Sequence, residues 1–280
     1  MNETANKPLR VACIQVNAGT DMSVNIETAL YLANEARNDG ADFVLMPENV
    51  AMMENGRTNI VMKARREDEH EALSAFRALA RDGGMWVHTG SLSVLLDDGM
   101  VANRSYLFSP DGKEVARYDK IHMFDVNLVG GESYHESSTF KPGSRAVVAQ
   151  TPWGGLGMTI CYDLRFPHLY RLLAQNGASF LTVPAAFTKT TGRAHWHVLL
   201  RARAIETGSY VFAPAQCGSH AGGRETYGHS LIVSPWGEIM ADGGEEPGFI
   251  IADIPPGKVV EARKAVPSLF LDRPILPPVV

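Results

Sequence analysis

The pattern of apolar and polar positions divides the chain into short buried strands and amphipathic helices. Residues 10–16 read as a first strand. Asn25 opens a helix with Ile26, Leu30 and Ala33 on one face, and Gly40 ends it. Residues 43–46 form a short apolar strand, stopped by Pro47 and followed by Glu48. A second helix over 69–81 turns Leu73, Phe76, Leu79 and Ala80 inward. Strands follow at 86–96 and 104–108, and the turn Ser109-Pro110-Asp111-Gly112 makes 113–118 a hairpin partner. A linker at 126–144 contains Gly130-Gly131 and Lys141-Pro142-Gly143 and is expected to be loop. The pattern then resumes. Residues 156–160 are an apolar run, and Cys161 stands where it stops. Pro167 suits the first turn of a helix, having no N–H to leave unpaired there. Leu169, Leu172 and Leu173 continue that helix and Gly177 closes it.

The second half repeats the order of the first. Gly40-Ala41-Asp42-Phe43-Val44-Leu45-Met46-Pro47 matches Gly177-Ala178-Ser179-Phe180-Leu181-Thr182-Val183-Pro184. Gly84-Met85-Trp86-Val87 matches Gly208-Ser209-Tyr210-Val211, and the turn at Ser109 matches one at Ser234. Each half must bury its helices on a sheet. The simplest arrangement packs two similar sheets face to face with helices outside both. The expectation is therefore one α/β domain over 1–280, a four-layer α-β-β-α sandwich with half-repeats at about 10–125 and 145–265. The tail from Val266, with Pro267, Pro274, Pro277 and Pro278, is expected to be extended and to reach a partner subunit.

Composition narrows the class. A net charge of −5 gives no reason to expect nucleic acid as a partner. No apolar run approaches the roughly 20 residues of a membrane helix, and residues 1–9 lack the apolar core of a signal peptide. Three scattered cysteines, Cys13, Cys161 and Cys217, do not make a disulfide scaffold, which points to a reducing, cytoplasmic setting. Cys13 and Cys217 read as core thiols. Cys161, at the bend between a strand and a helix, reads equally as a nucleophile or a core thiol. Glu48 follows its strand as Cys161 follows its own, and ligand sites gather at such strand ends. His195 and His197 face different sides of a helix, and His-Glu-x-x-His is absent, so no metal site is expected.

Four segments are recognisable together. They are Met46-Pro47-Glu48-Asn49, Lys120 within Tyr118-Asp119-Lys120-Ile121-His122, Glu136 within His135-Glu136-Ser137-Ser138-Thr139-Phe140-Lys141-Pro142-Gly143, and Cys161 within Ile160-Cys161-Tyr162-Asp163-Leu164-Arg165-Phe166-Pro167. They resemble the nitrilase superfamily of carbon–nitrogen hydrolases, over nearly the whole chain. The resemblance implies an α-β-β-α sandwich and a Glu48–Lys120–Cys161 triad assisted by Glu136. It implies that Cys161 attacks an amide carbon and that Glu48 is the general base. Lys120 and the Tyr162 backbone N–H then form the oxyanion hole, and no cofactor is used. Small-molecule amides are the implied substrates and a homodimer the implied assembly.

Two further segments narrow the branch. The stretch from Thr191 through Ala194-His195-Trp196 to Glu206, and Ala215-Gln216-Cys217-Gly218-Ser219-His220 with the following Tyr227-Gly228-His229-Ser230, resemble amidases that hydrolyse deaminated glutathione, and slightly less omega-amidases acting on 2-oxoglutaramate. A Pro common in that pattern is replaced by Arg193. Such substrates carry a carboxylate beside an oxo group, which a guanidinium can grip with paired hydrogen bonds. Arg165, Phe187, Thr188 and His195 are the expected substrate contacts. Lys189, Arg193 and Arg224 are expected to border the pocket, with Arg224 reading best as an ordinary surface cation. A non-catalytic binding protein of the same fold is the competing reading, disfavoured because all four catalytic positions are intact.

Overall fold

The computed structural model describes residues 8–127, 133–276 and 278; Gly130-Gly131 of the expected linker, Pro277 of the tail and residues 1–7 lie outside them. The first half contains β1 (Leu9–Gln15), α1 (Met22–Asn38), β2 (Phe43–Leu45), α2 (Arg57–Lys63), α3 (Glu71–Gly83), β3 (Trp86–His88), β4 (Leu92–Leu95), β5 (Val101–Phe108) and β6 (Glu114–Asp119). A small hairpin, β7 (Asp125–Asn127) and β8 (Ser133–His135), links the halves. The second half contains β9 (Val147–Thr151), β10 (Gly154–Met158), α4 (Pro167–Gln175), β11 (Ala178–Thr182), α5 (Lys189–Thr207) and β12 (Tyr210–Ala213). It continues with β13 (Cys217–Ser219), β14 (Glu225–Tyr227), β15 (Leu231–Val233), β16 (Ile239–Asp242), β17 (Gly248–Ile254) and α6 (Lys258–Ala265).

Two sheets carry the fold, and their topologies match. In one, β1, β2 and β3 run parallel, then β5 and β6 turn antiparallel, and β17 pairs antiparallel outside β1. In the other, β10, β11 and β12 run parallel, then β15 and β16 turn antiparallel, and β9 pairs outside β10. Crossover helices α1 and α3 serve the first sheet, α4 and α5 the second. Alternation along the strands sorts the core. Val11, Cys13, Phe43 and Leu45 meet Leu156, Met158, Phe180 and Phe212 between the sheets, whereas Ala12, Ile14, Val44 and Met46 face α1 and α3. This is the expected α-β-β-α sandwich with an internal repeat.

Four local expectations are corrected. The first helix begins at Met22, capped by the Asp21 carboxylate, which accepts from the Ser23 and Val24 N–H groups. Asn25 lies inside the helix, donating to the Gly19 and Ala51 carbonyls; its fully buried line is Asn25, Ala29, Ala33 and Ala36, with the expected Ile26 and Leu30 packed partly buried beside it. The strand expected over 86–96 breaks at Thr89-Gly90-Ser91. Gly90 sits at φ +64 against the Met46–Pro47 backbone, where a Cβ would collide with the Pro47 carbonyl. The linker is not plain loop: besides the hairpin it buries Thr139 and Phe140, and the Gly143 N–H donates to the Lys120 carbonyl at 2.8 Å. The tail folds back at Pro267–Phe270, burying Leu269 and pairing Asp272 with Arg171 on α4, before it becomes irregular.

Candidate active site

Two strand ends face each other across the sheets. After β2, Pro47 and the left-handed Asn49 (φ +54) bracket Glu48. The Pro47 carbonyl accepts from Ser91 N–H, and the Asn49 N–H donates to Ser91 Oγ, so the broken strand at Gly90 holds this turn. Gln216 Nε2 donates to the Glu48 carbonyl at 3.0 Å. After β10, Thr159 and Ile160 lead to Cys161 at φ +47, in a single tight turn over Cys161–Arg165 that precedes Pro167, the first residue of α4. A positive φ at a residue with a Cβ is strained, a common price of presenting a reactive side chain.

Asp163 fixes that turn. Its fully buried carboxylate accepts from Ile160 N–H (2.9 Å) and Tyr118 Oη (2.7 Å) on one oxygen. The other oxygen accepts from His122 N–H at 3.0 Å and lies 2.7 Å from His122 Nδ1. One side chain therefore ties the segment around Lys120 to the segment around Cys161.

The charged groups meet at 2.9 Å. Lys120 Nζ donates to Glu48 Oε1 at 2.9 Å and to both Glu136 oxygens at 2.9 Å. Asn103 Nδ2 on β5 donates to Glu48 Oε1 at 2.9 Å and to Glu136 Oε1 at 3.4 Å. Backbone N–H groups complete the carboxylates: Ala186 donates to Glu48 Oε2 at 2.8 Å and Phe124 to Glu136 Oε2 at 2.6 Å. Glu48 and the Cys161 thiol lie on the same cavity, close enough for each to shift the other's protonation.

Glu48 and Lys120 are each 2 % exposed and Cys161 7 %. Burial alone would raise the Glu48 carboxyl, but the Lys120 ammonium outweighs it and holds the group below the usual carboxylate range. Burial opposes the charge on Lys120 as well, and Glu136 and Glu48 together reverse that, raising it above an ordinary lysine. Burial, reinforced by the neighbouring Glu48 charge, pushes the Cys161 thiol well up. The resting site is thus a neutral thiol beside an anionic carboxylate, with an ammonium filling the space between the two acids where a cation would otherwise sit. Such a set can pass a proton from sulfur to carboxylate as a bond forms at sulfur.

These groups form the floor of a cavity of about 510 Å³. Its walls include Phe187, Thr188, Tyr162, Tyr134, Arg57 and Arg224. Phe187 and Thr188 lie where the sequence places them. Arg165 and His195 do not line it: Arg165 Nη1 lies 3.3 Å from His195 Nδ1, and its guanidinium sits over the Phe187 ring at 5.2 Å. Lys189 pairs with Glu225 at 3.0 Å, and neither it nor Arg193 lines the cavity. Of the loop cations expected at its border, Arg224 does line it. It donates to the Ala186 carbonyl at 2.6 Å and lies 5.4 Å over Tyr134, while its Nε is buried with no hydrogen-bond partner among the described residues. Asn103, Asp163, Arg57 and Tyr134 were not foreseen as site residues. The signal available for Asn103 and Asp163 was a polar side chain inside an apolar strand or motif. The cavity rim offered none.

A family model described as carbon-nitrogen hydrolase matches residues 10–264. A protein of Synechocystis sp. named deaminated glutathione amidase is 40% identical over 270 residues, covering 94% of this chain and 97% of that one. The structure of Saccharomyces cerevisiae Nit3, a nitrilase-superfamily member, superposes with a TM-score of 0.84 at 28% identity, covering 95% of this chain and 97% of that one. An amidase from Nesterenkonia sp. AN1, in a form where acrylamide has added to its active-site cysteine, gives 0.78 at 27% identity, covering 94% and 100%.

Proposed function

Because this chain belongs to the carbon–nitrogen hydrolase family, we propose that it cleaves a small amide bearing a 2-oxo carboxylate, deaminated glutathione above others, through a thioester on Cys161. As Sγ bonds to the amide carbon, the thiol proton passes to Glu48 and the carbonyl oxygen becomes negative between Lys120 Nζ and the Tyr162 N–H. Collapse breaks the C–N bond and Glu48 returns its proton to the leaving amine. Water then attacks the thioester with Glu48 again as base. The acid departs and the Cys161 thiol is restored. Glu136 orients Lys120, and the route requires no cofactor.

The observation that carries this reading is the meeting of the Cys161 thiol, Glu48 and Lys120 beneath a wall that presents Arg224 with an unpaired Nε. A guanidinium there suits the oxo-carboxylate. The exposed Arg57 on the same cavity suits the second carboxylate, which the cysteinylglycine half of deaminated glutathione carries and 2-oxoglutaramate's leaving ammonia lacks. The name of the Synechocystis relative points the same way. The test compares kcat/KM for the two amides. Preference for deaminated glutathione is expected. A tenfold preference for 2-oxoglutaramate would replace this reading with an omega-amidase.

The same proposal includes a homodimer in the cytoplasm. Exposed Val198 and Ile205 on α5, together with Phe270, Leu271, Ile275 and Leu276 in the tail, support the first, and three free cysteines support the second. Among the described residues no helix is long and apolar enough to cross a membrane. Light scattering reads the mass directly; a monomer at micromolar concentration contradicts the dimer.

A further inference from the structure

Behind the cavity wall, three metal-ligating side chains from three elements converge. His197 projects from α5, His229 lies just before β15, and Asp242 ends β16, where it is in register with Leu231. His197 Nε2 lies 3.0 Å from Asp242 Oδ2, and His229 Nδ1 lies 2.8 Å from Asp242 Oδ1. All three donor atoms are within 4.8 Å of one another. The carboxylate is further fixed by the Gly244 N–H, which donates to Oδ1 at 2.9 Å.

The surrounding structure holds these groups in place. His229 is left-handed (φ +53), and its N–H donates to the Gly244 carbonyl at 2.6 Å. Its own carbonyl accepts from Trp196 Nε1 at 2.7 Å, and its ring stacks on Tyr227 with centroids 4.4 Å apart. His197 also packs edge-on against the His229 ring at 5.1 Å. The side chains of His197, His229 and Asp242 remain 28%, 21% and 34% exposed, so the cluster opens to solvent on one side.

We propose that His197, His229 and Asp242 form a binding site for a divalent transition ion, with Zn²⁺ the ion their chemistry suits best. Two imidazole nitrogens and one carboxylate oxygen are a ligand set that zinc accepts, with solvent in the open position. Ligand atoms about 2 Å from a tetrahedral zinc stand roughly 3.3 Å apart. The two contacts to Asp242 need to open by a few tenths of an ångström, and the two imidazole nitrogens, which lie within 4.8 Å of each other, need to settle at the same spacing. Each imidazole would turn its lone pair to the metal by moving its proton to the other ring nitrogen. A bound ion would fasten α5 to the β15–β16 hairpin. The site uses none of the cavity-floor residues, so it is structural rather than catalytic.

The test is a Zn²⁺ titration against a chromophoric indicator, using tag-free enzyme, stripped with chelator, with Cys161 alkylated by iodoacetamide so that the catalytic thiol cannot contribute. Wild type should bind one Zn²⁺ per chain. His197→Gln and Asp242→Asn should each bind at least tenfold more weakly, while unmodified forms of both variants keep amidase activity and so report an intact fold. Co²⁺ in place of Zn²⁺ should give ligand-field bands without the intense thiolate charge-transfer band. Equal affinity in wild type and both variants overturns the proposal, as does a thiolate charge-transfer band or an absence of saturable binding in wild type.

Discussion

The floor of the cavity and its rim are built differently. The floor is made of strand ends and the turns locked to them. Glu48, Lys120 and Cys161 are almost wholly buried, and each carboxylate oxygen is matched by an ammonium, an amide or a backbone N–H. The rim is made of loops. Arg57 is exposed, and Arg224 is half-buried with an Nε left unpaired. Charge in the floor is satisfied before any substrate arrives, as preorganised catalysis requires. Charge on the rim is left for the ligand to satisfy. In the proposed function the floor sets the reaction and the rim selects the amide.

The largest expected effect is at the floor. Cys161→Ala should lose more than about a thousandfold in kcat with the fold unchanged, whereas Cys13→Ala and Cys217→Ala should leave kcat near wild type. Steady-state assays with circular dichroism separate these outcomes; substantial turnover by Cys161→Ala breaks the division. Lys120→Met should come next. Removing an oxyanion donor costs about 100–1000-fold. It also leaves the buried Glu48 and the half-buried Glu136 unneutralised, which costs about 3–5 kcal/mol of stability and should lower the urea midpoint.

At the rim the effects shrink and become substrate-dependent. Arg224→Gln should reduce kcat/KM for 2-oxo-carboxylate amides by about 10–100-fold, the worth of a charge-assisted pair, with little change for a neutral amide. An equal loss on both substrates would move Arg224 from the rim to the floor. The smallest effects belong to Arg165→Ala and His195→Ala, which face each other outside the cavity. Surface changes of this kind are worth about 0.5 kcal/mol or less, so kcat/KM should stay within about threefold of wild type.

The same contrast decides what could be read from the sequence. Lys120 and Glu136 are unremarkable alone and are placed by the resemblance to the nitrilase superfamily, whereas Glu48 and Cys161 stand out as candidates because they sit at recurrent local places: Glu48 after an apolar strand and Pro47, Cys161 after an apolar run and before Pro167. The repeat of strand, Gly and Pro positions exposed the two-sheet sandwich for the same reason. What joins the floor residues was harder to see. Asp163 bridges segments more than forty residues apart, and Asn103 is an unremarkable polar position in β5. The break at Gly90 depends on contact with the Met46–Pro47 peptide, which no local pattern records. The rim was least legible. Arg224 and Arg165 are alike in a sequence, and only the path of the 220–224 loop and of the turn after Cys161 decides which of them faces the cavity.

The central claim is that Glu48, held anionic beside Lys120, takes the proton of a thiol that burial keeps neutral. Quenched-flow intact-mass spectrometry of Glu48→Gln mixed with deaminated glutathione tests it most directly, because it reads acyl transfer to sulfur before hydrolysis. The account predicts that the acyl adduct on Cys161 forms at least about a hundredfold more slowly than in wild type, since an amide cannot accept the proton. An adduct that appears at the wild-type rate would contradict it and place the base elsewhere.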